Sequence, residues 1–177
     1  MARGEFLYNV VLLGHILAVV VGFGSSFVWP VLAARARGMA ADQGYAVSHT
    51  AFELGKPLTT YPIWVAGGLG IVLVLMEQLQ EFSTIEFSQT WISIAFVLFF
   101  GAAAFSWFVH VPNLKKMDEL QGRLVAGDVT PNPNGPPKEA LELAERGKQA
   151  AMYGGVLHLL FLLLLIDMIW KPGFPFI

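Results

Sequence analysis

The chain has 177 residues, no cysteine and a formal net charge of −2 at pH 7. Apolar residues make up 55% of it and charged residues only 14%, with a mean hydropathy of +0.60. That balance excludes an ordinary soluble domain and points to a bilayer. The missing cysteine excludes disulfides, thiolate metal sites, thiol redox chemistry and covalent haem attachment, and no stretch has the basic, aromatic-interleaved face of a nucleic-acid binder.

The first apolar run, about 6–34, exceeds the roughly 20 helical residues that cross a hydrocarbon core of about 30 Å, and it is too long for a secretory signal, which predicts a retained span. Within it, "GHILAVVVGFGSSFVWP" places Gly14, Ala18, Gly22, Ser26 and Pro30 four residues apart. This is a stripe of small residues that a neighbouring helix can approach closely. His15 lies beside the stripe, and an ionisable group in hydrocarbon needs a reason: either a packing hydrogen bond to a facing hydroxyl or carbonyl, or a ligand.

The second span, about 57–76, opens at Pro57 behind Lys56 and contains "AGGLG" (66–70), a signature of close helix contact. Its exit, "EQLQEFSTIEFSQ", is acidic and carries no basic residue. The third span, about 91–111, ends in "WFVHVPNLKK", where His110, like His49 in the first loop, reads as interfacial or solvated. A cytoplasmic helical hairpin follows over about 112–151, broken at "TPNPNGPP" and reopened by Pro136 and Pro137, where a missing N–H costs least. Glu142 and Arg146 stand four apart in the stabilising order.

The fourth span, about 152–170, carries "AMYGGVLHLL", with His158 three residues after Gly155. A histidine beside small side chains suits a flat macrocycle. Asp167 and Lys171 close the span at ion-pair spacing.

The expected fold is therefore all-α: one transmembrane domain over 1–177, a four-helix bundle running up-down-up-down, with the helical extension between spans three and four. Of the eleven basic residues, Arg3 and Lys171 fall on one side. Arg35, Arg37, Lys56, Lys115, Lys116, Arg123, Lys138, Arg146 and Lys148 fall on the other. The positive-inside rule then puts both termini outward.

His15 and His158, from helices that neighbour one another in such a bundle, are candidate axial ligands of a b-type haem, with Gly22 and Gly155 leaving room for the ring. Two function classes follow. One is a haem- or porphyrin-binding redox protein of the membrane; the other is a non-catalytic subunit or assembly factor whose partners are the lipid bilayer and other membrane subunits.

The stretches "HILAVVVGFGSSFVWPVLAARA", "GKPLTTYPIWVAGGLGIVLVL" and "LLLLIDMIWKPGFPF" resemble a family of bacterial integral membrane proteins of unknown function, over essentially all four spans. More distantly, the early histidine, the "Pro-x-Leu" after an aromatic residue and the closing "KP" are similar to HemJ-type protoporphyrinogen oxidases and, more loosely, to CopD-type membrane proteins. That resemblance implies a bacterial inner-membrane location and a porphyrin-site role for His15, with Lys56 as a nearby basic residue. Val31 stands where the HemJ-type pattern has a basic residue.

Overall fold

The computed structural model describes residues 3–79, 87–133 and 135–173. Among them every regular element is helical: α1 (Arg3–Ser26), α2 (Val28–Ala36), α3 (Ala41–Gly55), α4 (Tyr61–Gln78), α5 (Thr90–Phe105), α6 (Val111–Ala126) and α7 (Lys138–Trp170). Four helical stretches are long and apolar enough to cross a membrane: Glu5–Ala36, Ala41–Gln78, Thr90–Ala126 and Lys138–Trp170. The acidic stretch at the exit of the second span lies partly outside the described residues, at 80–86.

Two expectations are refined. The first span is not one uninterrupted helix: α1 ends at Ser26 and α2 starts at Val28. Ser26 turns its hydroxyl back onto the carbonyl of Phe23 (2.6 Å), and Pro30 cannot donate to the carbonyl four residues before it, so the ladder is weakened from both sides. The first loop, in turn, is largely α3, with only the residues around Gly38 left as a turn. Gly44 lets α3 close onto α2, because a Cβ there would stand 2.7 Å from the Ala36 carbonyl oxygen.

Helices α3 and α4, and again α5 and α6, are joined by single π-helical turns at Lys56–Thr60 and Ser106–His110. Each is followed by a proline at the second helical position, Pro62 and Pro112. A proline inside a continuous helix clashes with the carbonyl four residues back and leaves it without a donor; a wider turn relieves the clash. At Pro62 the orphaned carbonyl belongs to Leu58, and the hydroxyl of Ser25 on α1 donates to it at 2.7 Å.

The chain forms two compact units, one of Met1–Ser26, Lys56–Gly101 and Leu160–Ile177, the other of Phe27–Gly55 and Ala102–Leu159. In the first, α1 lies along α4. The glycine stripe is the contact: a Cβ on Gly22 would meet Ile63 Cγ1 at 2.8 Å and the Ile63 backbone nitrogen at 3.1 Å, and one on Gly14 would meet Leu69 at 3.3 Å. Gly67 of α4 likewise receives the ring of Phe99 from α5, and Val74, Trp91 and Ile92 form a small core against Met168 of α7. Phe23 of α1 meets Phe161 of α7 ring to ring at 5.4 Å.

In the second unit α3 packs on α6, with the Tyr45 hydroxyl against Gly122. A loop joins α6 to α7, with Gly127 (φ 75°) closing α6 in the left-handed conformation. Large apolar side chains cover much of the exterior of both units, Val97 (74% exposed) and Val31 (66%) among them. Water would penalise such a surface, whereas hydrocarbon would not.

Candidate functional site

His15 projects from α1 onto the "AGGLG" segment of α4. Its Nδ1 lies 2.8 Å from the Ala66 carbonyl oxygen. A carbonyl only accepts, so Nδ1 carries the proton and, in the neutral ring, the lone pair belongs to Nε2. Gly70 makes room for the ring, since a Cβ there would stand 3.3 Å from His15 Cε1. The close-contact reading of "AGGLG" is thus met twice, by an imidazole at Gly70 and an aromatic ring at Gly67.

His158 belongs to the second unit and shows the same tautomer: its Nδ1 donates to the Gly154 carbonyl one turn back on α7, at 2.8 Å. Phe27 covers the ring at a centroid distance of 4.7 Å. His15 and His158 therefore fall in different units, each with its Nδ1 fixed by a backbone carbonyl of its own unit. Beside Gly155 a Cβ would meet nothing within 4 Å, whereas the space beside Gly22 is filled by Ile63 and Pro62.

His110 closes the second π-helical turn. Its Nδ1 is buried without a hydrogen-bond partner among the described residues, and Tyr153 meets the ring edge-on at 6.4 Å. His49 is half-exposed, as the sequence suggests, but it is not simply solvated. Its Nδ1 lies 2.9 and 3.1 Å from the two carboxylate oxygens of Asp118 on α6, and Tyr45 covers it at 5.5 Å. Sequence reasoning missed this pair because its members lie 69 residues apart. Among the described residues no three His, Asp or Glu side chains converge as a metal site.

The spacing of Asp167 and Lys171 predicts an ion pair, and the structure corrects it. Only backbone joins the two, with the Lys171 N–H on the Asp167 carbonyl at 2.8 Å. Lys171 leaves the helix at φ 42° and its ammonium sits 5.2 Å from the Trp91 ring centroid. The Asp167 side chain stays inside, 5% exposed.

A shallow hollow of about 330 Å³ lies between α1 and the start of α4, lined by Leu17, Ala18, Val21, Pro57, Tyr61, Pro62 and Val65. It begins within a turn of His15 and is almost wholly apolar. No protein-family model, curated protein or solved structure matches the chain.

Proposed function

We propose that this is a multi-pass protein of the bacterial inner membrane, with both termini outward, that holds a b-type haem or a porphyrin through His15. The nine-to-two division of basic residues supports the orientation. The observation that carries the ligand reading is the His15 Nδ1–H bond to the Ala66 carbonyl. A ligating histidine commonly donates its other ring nitrogen to a carbonyl or carboxylate, which fixes the tautomer, orients the ring and raises the basicity of the free nitrogen.

His158 has the same second-nitrogen anchor and the open flank of Gly155 beside it, so it is the candidate second ligand. The donor chemistry suits an iron porphyrin. When bound, such a group supplies one-electron transfer. With no cysteine in the chain, it is held by these imidazoles and by apolar contact alone. Ala66 and Gly70 act as positioning residues, one accepting the Nδ1 proton and the other clearing the ring.

A second reading rests on Gly70 and Gly22: His15 is then a packing hydrogen bond in a glycine-lined seam, and the protein is a non-catalytic subunit of a larger membrane assembly. An absorption spectrum separates the two. Protein from haem-supplemented cells should show a Soret band that His15→Ala removes or strongly shifts and His49→Ala leaves alone; His158→Ala removes it only if the two histidines are paired ligands. Colourless protein without extractable porphyrin, with His15→Ala losing about 0.6–2 kcal/mol of stability, overturns the cofactor reading in favour of packing.

A further inference from the structure

The carboxyl of Asp167 is the least reconciled polar group in the first unit. It is nine-tenths buried, with 5% of the residue exposed, and neither oxygen has a hydrogen-bond partner among the described residues. It stands in the last turn of α7, where the final carbonyls have no helical donor and the helix dipole presents its negative pole. An anionic side chain is out of place there and a cation is favoured. Lys171, at the spacing that would supply one, leaves the helix instead and lies over Trp91.

We propose that Asp167 is a monovalent-cation site, its carboxyl taking a proton or a sodium ion as ligand at the end of the membrane helices opposite the basic loops. One carboxylate matches one positive charge. A divalent metal asks for more anionic ligands than the site offers, and among the described residues no other acidic or histidine side chains gather with Asp167 into a metal-binding group. An ionisable group inside a membrane is retained where it handles an ion or a proton. The site is independent of the haem reading and requires only that the helices span a membrane.

Carbodiimide chemistry tests it, because dicyclohexylcarbodiimide adds the O–H of a protonated carboxyl across its N=C bond and reaches carboxyls in apolar surroundings. The full chain, reconstituted in phospholipid vesicles, should gain one adduct that peptide mapping places on Asp167. D167N, with its folded state checked by thermal melting, should lose it. Labelling that is unchanged between sodium chloride and choline chloride identifies a proton as the ligand, and labelling suppressed by sodium identifies sodium. An Asp167 that stays unlabelled in both salts overturns the proposal. So does one that becomes labelled only in K171Q, since Lys171 would then be its partner.

Discussion

The seam between α1 and α4 in the first unit and the seam between α6 and α7 in the second are held by opposite means. The first is a fit of shapes: Gly14 and Gly22 admit Leu69 and Ile63, and the hydrogen bonds across it come from small groups, His15 to Ala66 and Ser25 to Leu58. The second is a fit of charges and amides. Asn113 of α6 is 5% exposed; it donates to the Arg146 carbonyl of α7 at 3.0 Å and accepts from the Arg146 guanidinium at 3.1 Å. Arg146 also reaches Glu142 at 2.7 Å.

On the membrane placement proposed above, the difference follows from the surroundings of each seam. Apolar helices in hydrocarbon gain nothing from burying apolar area against each other, so close backbone approach decides. Helices that carry Lys, Arg and Glu into water can instead use polar networks in which every member is satisfied.

The largest expected effect breaks the first seam by volume. In Gly22→Leu the new side chain meets the backbone nitrogen of Ile63, which cannot swing aside. A loss of about 3 kcal/mol, the upper end for overpacking, is expected in detergent melting. Val20→Leu, at a position 61% exposed, should stay within about 0.5 kcal/mol. Equal losses for the two would place the packing face elsewhere.

The second seam should break by chemistry rather than volume. Asn113→Ala removes the second donor to the Arg146 carbonyl and leaves one guanidinium nitrogen of Arg146 without its acceptor, at about 1–2 kcal/mol. Asn113→Leu, which fills the space and satisfies neither group, should not recover the loss in melting experiments. Recovery by leucine would show that the second seam, like the first, is a matter of shape.

How much of this was legible in the sequence depends on how local the cause is. Gly14 and Gly22 of the small-residue stripe, the break before α7 at Pro136 and Pro137, and the Glu142–Arg146 pair are set by spacing within one helix or turn, and each has its counterpart in the structure. The π-helical turns are signalled locally by Pro62 and Pro112, but the group that satisfies Leu58 comes from Ser25, 33 residues away. Asn113 with Arg146 and His49 with Asp118 are invisible for the same reason. Asp167 and Lys171 fail differently: the spacing is local and correct, but it presumes a helix that continues, and Lys171 is the first residue outside it. For the candidate site, the sequence singles out His15 and His158. It does not identify which carbonyls fix their tautomers, because Ala66 and Gly154 act through their backbones.

The smallest expected effect sharpens the comparison at the edge of the second seam, where charge works alone. Glu139, at the start of α7, is buried beneath the hairpin loop. It accepts from the Thr130 N–H at 3.0 Å, the Thr130 hydroxyl at 2.9 Å and Arg123 at 3.1 Å. Its own backbone N–H and then that of Thr130 hold the carboxyl below the ordinary glutamate value, against the opposing effect of burial, with the Thr130 hydroxyl and Arg123 adding to them. The folded carboxyl thus releases its proton more readily than the unfolded chain's. Its contribution is complete above the ordinary glutamate value of 4.5 and is lost as the pH falls through the lower, folded value. Only the loop between α6 and α7 depends on it, so the melting temperature should barely move while amide exchange at Thr130, corrected for its intrinsic rate, accelerates in acid. Glu139→Gln keeps the shape and removes the charge, and should show the fast exchange already at neutral pH. Exchange that is slow and independent of pH in both proteins would mean that the loop, like the glycine seam, is held by packing.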